Sequence, residues 1–170
     1  MKLENLLSDK RSSIIKEWRD AIIATYPENA QRFLRNDKDR FSNPVGHIFG
    51  KDLEDLYDGL IKEWDSERIS SCLDNIIRIR AVQDFKPSLA VGFVLQLKKL
   101  IKEKLEGKAQ NNGLSGELQA LEDRIDEMAL LAFDIYNQCR QKVYEIRVNQ
   151  VRNHVGRLLE MANLTCEIPE

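Results

Sequence analysis

Two runs of carboxylates are the side chains with the greatest capacity for acid–base chemistry. The first run comprises Asp52, Glu54, Asp55 and Asp58, and the second comprises Glu122, Asp123, Asp126 and Glu127. Such runs are usually solvated helix faces, because a working acid–base pair needs a pocket that shifts its pKa. The sequence also lacks a nucleophile elbow, a phosphate-binding loop, an H-E-x-x-H motif and a dinucleotide fingerprint. We therefore expect no catalytic residues and no enzymatic activity.

The cysteines and histidines do not have the spacing of a metal site. Cys72, Cys139 and Cys166 form no C-x-x-C pair, and their odd number does not suggest a disulfide framework. We expect the first two to be small core residues and Cys166 to be an exposed thiol in the tail. His47 and His154 lie more than a hundred residues apart. His47 is interpreted as a capping or packing residue rather than a haem ligand, and no metal or cofactor is predicted.

A polar group precedes Pro87, where a helix is predicted to begin. Arg78, Arg80 and Gln83 could face the free amides of that helix, and those amides together with the helix dipole favour an anion. Alternatively, the same side chains pair with acidic residues of a neighbouring helix and fix the connector over residues 81–86. Both interpretations remain open from the sequence.

Composition excludes several classes of protein. Of 170 residues, 42% are hydrophobic and 32% charged, which is too apolar for a disordered chain and too charged for a membrane protein. The 26 basic and 28 acidic residues give a net charge of −2, so there is no overall electrostatic footprint for nucleic acid. The longest apolar run, residues 89–95, is far too short to span a membrane, and no signal-peptide pattern is found. We expect a cytoplasmic protein that binds no nucleic acid.

Hydrophobic residues recur at three- and four-residue steps throughout the chain, which predicts helices. Tyr26-Pro27 ends the first helix, Asn43 and Pro44 begin another, and Asp65 caps the next. The prediction is an all-α, single-domain bundle of about five helices. Residues 1–106 supply its N-terminal helices, 107–116 a linker loop, 117–163 a long C-terminal helix that completes the bundle, and 164–170 a tail.

The long helix carries two apolar stripes in different phases. The first comprises Leu118, Leu121, Ile125, Met128, Ala132, Ile135 and Cys139; the second comprises Tyr144, Val148, Val151, Val155, Leu158 and Ala162. At 100° per residue the stripes point roughly 135° apart, so one partner cannot cover both. Residues 117–134 include six acidic residues and one basic residue, whereas 140–157 include five basic and one acidic. We predict a homodimer through residues 144–162, in either orientation.

Two motifs about forty residues apart make the sequence recognisable. F-x-N-P-V-G over residues 41–46 and R-A-V-Q-D-F-x-P-S-x-A-V-G-F over residues 80–93 resemble the N-terminal sensor-type domain of RsbT co-antagonist proteins of the RsbRD type. The opening helix with Trp18 and Tyr26-Pro27 is also similar, and the resemblance covers residues 6–160. Candidate ligand- or partner-binding residues come from both segments: Asn43, Pro44, Gly46, His47, Arg78, Arg80, Gln83, Phe85 and Phe93.

The resemblance implies a bacterial, cytosolic, all-helical input module of the kind found before signalling output domains. In stressosome-type proteins such modules precede a STAS domain and receive signals or contact partners. Related input domains have a globin-like, dimeric fold without haem. The sequence ends at Glu170, so we expect no output domain. It also departs from the family at Lys86, because a serine or threonine cap is expected before Pro87 and lysine cannot accept the amide hydrogen bonds. Asp84 or a bound group would then supply the cap.

Two functions are compatible with the sequence. The first is a stand-alone, non-enzymatic signalling module that is dimeric and acts on a protein partner. The alternative is a small-molecule or cofactor sensor with a pocket beneath the two motifs, lined by Phe41, Val45, Phe85 and Phe93. A filled core at those positions favours the first function, and a large enclosed pocket favours the second.

Overall fold

The computed structural model describes residues 2–35, 43–62, 64–105 and 113–162, and helices make up most of these ranges. No strand occurs among these residues, so the predicted all-α class is confirmed. Seven helices follow one another in the described ranges: α1 (Leu3–Ile23), α2 (Glu28–Arg35), α3 (Pro44–Ile61), α4 (Ser66–Val82), α5 (Pro87–Val91), α6 (Phe93–Leu105) and α7 (Ser115–Met161). None of these helices combines the length and the apolar character that crossing a membrane requires.

Local capping fixes where the central helices begin. The Asn43 side chain accepts a 2.8 Å hydrogen bond from the amide of Gly46, and Pro44 occupies the first turn of α3. Asp65 accepts 3.1 Å hydrogen bonds from the amides of Glu67 and Arg68 at the start of α4. Each cap satisfies amides that have no partner within the helix, and both caps agree with the sequence prediction.

The structure has more helices than the five or so predicted. Residues 28–35 form the additional eight-residue helix α2. The helix that begins at Pro87 is divided at Gly92, where a Cβ atom would lie 2.5 Å from the carbonyl oxygen of Ser88. This close contact with the main chain at the turn between α5 and α6 explains why a glycine stands here.

The core lies between α1, α3, α4, α6 and the first half of α7. Trp18 is completely buried there and donates a 2.7 Å hydrogen bond from Nε1 to the carbonyl oxygen of Phe93. The two rings stack with their centroids 6.0 Å apart. The indole therefore joins α1 to the start of α6 without leaving its polar atom unpaired.

The long helix α7 belongs to the bundle for only half of its length. Its 47 residues span about 70 Å at the usual helical rise. The predicted first stripe is buried from Leu121 to Cys139, with Leu118 partly buried at its edge. Among described residues after Cys139, none is buried. The residues of α7 after Arg140 therefore extend beyond the bundle. Most of the predicted linker at 107–116 lies outside the described residues.

Candidate functional site

The N-P-V-G motif forms the junction between α2 and α3. Asn43 is only 1% exposed and, besides capping α3, donates a 2.8 Å hydrogen bond from Nδ2 to the carbonyl of Phe33. A Cβ atom on Gly46 would collide with the Asn43 side chain and lie 2.8 Å from the carbonyl oxygen of Leu34. Pro44 is exposed and His47 partly exposed. Asn43 and Gly46 thus have a packing role in joining two helices.

The second motif places a fully buried arginine between three helices. Arg80 of α4 donates from Nη2 to the carbonyl of Leu89, at 2.7 Å, and to Oγ1 of Thr25, at 3.1 Å. Its guanidinium carbon lies 4.4 Å from the ring centre of Phe85 and 5.5 Å from that of Tyr26. Two aromatic faces therefore stabilise the charge, and the side chain ties α4 to α5 and to the end of α1.

The guanidinium has no carboxylate partner among the described residues. Its Nε and Nη1 atoms are buried without a hydrogen-bond partner there, as is the hydroxyl of Tyr26. Burial lowers the pKa of Arg80 and raises the pKa of Tyr26, and each group partly opposes the shift of the other. A buried charge with two unpaired donors is costly, so this is the most unusual polar group in the described core.

The residues predicted to share a polar spot with Arg80 lie elsewhere. Arg78 is exposed and pairs at 2.5 Å with Asp74, one turn earlier on its own helix. Gln83 is exposed at the end of α4. The structure therefore does not bring the three side chains together. Arg80 ties α4 to α5 and to Thr25 through a carbonyl and a hydroxyl, and not through the acidic residue that the other interpretation expected.

The connector between α4 and α5, residues 83–86, is held against α7. Tyr136 donates a 2.6 Å hydrogen bond to the carbonyl of Phe85, and Arg140 pairs with Asp84 and donates to the carbonyl of Ala81 at 3.0 Å. Asp84 has a φ of 64°, a conformation that asparagine and aspartate tolerate best among residues with a Cβ. Its carboxylate pairs with Arg140, and Lys86 at the N-cap of α5 makes no side-chain capping bond.

The aromatic residues expected to line a pocket pack against different partners. Phe85 meets the Tyr26 ring at 4.9 Å, edge to face, whereas Phe93 is 2% exposed and stacks on Trp18. Val45 is partly buried against the core, and Phe41 lies outside the described residues. At the three described positions, Val45, Phe85 and Phe93, the side chains thus pack against neighbouring residues.

The predicted seam lies on the part of α7 that extends beyond the bundle. Its five apolar side chains are between 46% and 62% exposed: Tyr144, Val148, Val151, Val155 and Leu158. The Arg140 guanidinium lies 4.8 Å from the ring centre of Tyr144, so the connector contact and the first residue of the seam adjoin.

Sequence reasoning missed Thr25, Tyr136 and Arg140. Thr25 and Tyr136 bind Arg80 and the connector through hydroxyl groups, and no spacing along the chain signals such pairs. Arg140 carried one usable signal, because it is the first basic residue after the acidic first half of α7.

The described helices form a bundle from which the second half of α7 extends with an exposed apolar face. The family described as RsbT co-antagonist protein rsbRD N-terminal domain matches residues 12–160, and the chain belongs to this family. The predicted resemblance is therefore confirmed. An uncharacterized protein of Archaeoglobus fulgidus is 24% identical over 145 residues, which cover 82% of this chain and 83% of that relative. No solved structure matches.

Proposed function

We propose that this regulatory domain is non-enzymatic, acts through protein–protein contacts and forms a homodimer through the second half of α7. The observation that carries the proposal is the apolar stripe from Tyr144 to Leu158, which continues beyond the last buried residue of the helix. Contiguous exposed apolar surface of this kind usually marks an interaction site. Membership of a stressosome-type regulatory family supports the signalling role.

The length of the exposed segment suits a helix–helix seam. Residues 140–161 span about 33 Å, or six turns, at the usual rise. The stripe residues follow one another at steps of three and four, which is the spacing of a coiled-coil interface. An isolated helix without tertiary contacts is marginal in water, so pairing with a second copy would also stabilise this segment.

Charge does not select one orientation of the dimer. The exposed half carries five basic residues and one acidic residue over 140–157, and a parallel pair would bring these like charges together. An antiparallel pair over residues 144–162 also brings basic residues together, because Arg152 and Arg157 of each chain lie opposite the same stretch of the partner. The proposal therefore concerns the seam and leaves its direction to experiment.

The connector offers a physical route from the bundle to the seam. Asp84 and Phe85 contact Arg140 and Tyr136, and the next turn of α7 begins the exposed stripe. A protein partner that displaces the connector would therefore act on the base of the seam.

Sedimentation velocity of the full chain at micromolar concentration tests the dimer. We expect a dimer, and a wild-type monomer at that concentration would overturn the assembly part of the proposal.

A second function, a sensor of a small anion or polar ligand, rests on Arg80. Two of its nitrogens and the adjacent Tyr26 hydroxyl are buried without partners among the described residues, and a ligand with acceptor oxygens would satisfy them. Inorganic phosphate is a suitable probe. A phosphate-dependent rise in melting temperature that disappears in Arg80→Met would support the sensor, whereas no rise, or an equal rise in both proteins, would refute it.

A further inference from the structure

A second cluster of ionisable side chains lies between α3 and α4, away from Arg80 and from the seam. Asp52 and Asp55 are one turn apart on α3, and Cys72 faces them from α4. One carboxylate oxygen of each aspartate and the sulfur of Cys72 all lie within 4.8 Å of one another. Sequence spacing does not reveal this group, because its third member lies on a different helix.

The cluster is built into the protein and is not a solvated acidic face. Asp52 is 7% exposed and Cys72 is 6% exposed. The Oδ2 atom of Asp52 is buried and has no hydrogen-bond partner among the described residues. An unpaired buried carboxylate oxygen is expensive, so its retention needs an explanation.

The surrounding residues compensate only in part. Burial raises the pKa of Asp52, and hydrogen bonding from Asn75 opposes that shift without cancelling it. Burial and the neighbouring aspartates raise the pKa of Cys72 to about 11. Protonating Asp52 would remove its charge but would add a hydroxyl donor that also needs a partner. A divalent cation would satisfy all three donors at once and reverse these effects.

The donor set indicates which cation. One thiolate and two carboxylates are a borderline combination that suits zinc, whose sites with three protein ligands keep a fourth position open. With Zn–S and Zn–O bonds of about 2.3 and 2.0 Å, donors around a tetrahedral ion stand about 3.5 Å apart. The three groups therefore need to close by little more than about 1 Å, which is within the reach of side-chain rotation on two packed helices.

One aspartate is already oriented by a neighbour. Asp55 accepts a 2.7 Å hydrogen bond from Arg68 through Oδ1, so its other carboxylate oxygen is available to a metal. Ligands are commonly held in this way by hydrogen bonds from outside the coordination sphere. Arg68 is half exposed and lies on the Oδ1 side of Asp55, outside the proposed set of ligands.

We propose that Asp52, Asp55 and Cys72 form a binding site for one divalent ion of the zinc class between α3 and α4. The site goes beyond the proposed signalling function and uses no residue of the seam. Its binding can be measured whether or not the protein dimerises.

Cobalt(II) titration of untagged, reduced, full-length protein tests the site. We expect one cobalt ion per chain with a thiolate-to-metal charge-transfer band, and we expect stoichiometric zinc to displace it. Cys72→Ser should abolish the band. Asp52→Asn, which preserves side-chain shape, should weaken cobalt binding by at least about tenfold, the scale seen when a metal site loses a supporting interaction.

Cys139→Ser is the matched control, because Cys139 is buried to a similar degree, 9% against 6%. Cys166→Ser removes the tail thiol. Both variants should retain the cobalt band. Absence of the band in wild type, its survival in Cys72→Ser, its loss in Cys139→Ser or in Cys166→Ser, or unchanged affinity in Asp52→Asn would each overturn the proposal. Circular dichroism of each variant establishes that it is folded, and the near-isosteric Asp52→Asn decides the question if Cys72→Ser does not fold.

Discussion

The hydroxyl group of Tyr136 donates a 2.6 Å hydrogen bond to the backbone carbonyl of Phe85. This bond joins the last buried turns of α7 to the connector, on the other side of which Arg80 holds the Leu89 carbonyl. One turn later Arg140 pairs with Asp84 of the same connector, and the following turn brings Tyr144 to the exposed seam. Arg80 and the exposed seam are thus linked through the connector and the hydrogen bonds that it makes with α7.

Gly46→Ala is expected to destabilise the fold at the junction of α2 and α3. Its Cβ would lie 2.8 Å from the Leu34 carbonyl oxygen and would collide with the buried Asn43 side chain. We expect a loss of about 2–3 kcal/mol in the free energy of unfolding, typical of overpacking at a rigid site. Urea denaturation measures it.

Gly50→Ala is the control, four residues later on α3. A Cβ at Gly50 meets nothing within 4 Å, so alanine should stabilise the helix by about 0.5–1 kcal/mol. Equal effects of the two substitutions would contradict a specific role for Gly46.

The apolar pattern was sufficient to predict the all-α class and the buried face in the first half of α7. Leu121, Ile125 and Met128 follow at three- and four-residue steps, and all three are buried as expected. The caps at Asn43 and Asp65 were also predictable, because their side-chain acceptors act on amides two or three residues away. A structural feature can thus be predicted from the sequence when the interacting groups lie within one helical turn of each other.

The surroundings of Arg80 could not be predicted in this way. Its partners are a hydroxyl 55 residues earlier and a backbone carbonyl, and a carbonyl carries no sequence signal. The division at Gly92 was missed for a related reason, because the obstructing atom is the main-chain oxygen of Ser88. The interpretations of Arg78 and Gln83 assumed that sequence neighbours share a site, whereas successive helical positions point in different directions.

Substitution of Arg80 should separate the importance of its charge from that of its shape. Arg80→Lys keeps a buried charge but loses the planar group between Tyr26 and Phe85, so we expect a loss of about 3 kcal/mol. Arg80→Met keeps the apolar stem and removes the charge. It leaves the Leu89 carbonyl unpaired but relieves the cost of burying a cation, so its loss should be smaller by at least about 1 kcal/mol.

Chemical denaturation of wild type and both variants in phosphate-free buffer provides the comparison. A lysine variant more stable than the methionine variant would show that positive charge, rather than stacking and stem packing, is required at this position.

The pair between Arg11 and Asp58 should give the fold a defined dependence on acid. The 2.8 Å hydrogen bond from Arg11 lowers the pKa of Asp58 below its ordinary value of 3.8. Because the pKa is lower in the folded state, the contribution is complete above pH 3.8 and is lost as the pH falls through the folded-state value. Both side chains are partly exposed, so the contribution should not exceed about 1 kcal/mol.

Comparison of wild type with Arg11→Gln between pH 7 and pH 2 measures this contribution. The difference in the free energy of unfolding should be constant from neutral pH to about pH 5 and should shrink below the ordinary aspartate pKa. Lys99→Gln is the control, since Lys99 lies 3.8 Å from Glu103 on an exposed face of α6 and should contribute almost nothing. A difference that stays constant down to pH 2 would exclude the Asp58 carboxylate as its source.

Val151→Asp should dissociate the proposed dimer without unfolding the bundle. Val151 is 62% exposed in the centre of the seam, and the bundle's buried residues on α7 end at Cys139, twelve positions earlier. In a dimer the aspartate would be enclosed with its symmetry-related copy, and a buried unpaired carboxylate costs several kcal/mol. We expect the dissociation constant to rise by at least about a hundredfold, equivalent to 2.7 kcal/mol. Sedimentation velocity measures the constant, and circular dichroism establishes that the variant is helical.

Val82→Asp is the matched control for this substitution. Val82 is the same residue type with nearly the same exposure, 61%, but it lies at the end of α4 outside the seam. An added charge at either position lowers nonspecific apolar association equally. The two variants should therefore differ in dimerisation only if the seam is the specific interface. Dissociation by Val151→Asp alone would support pairing through α7. The two valines have nearly equal exposure in the single chain, and only Val151 would be buried in the proposed dimer. Dissociation by both would mean that the contact surface extends to the connector, and dissociation by neither would show that residues 144–162 do not form the interface.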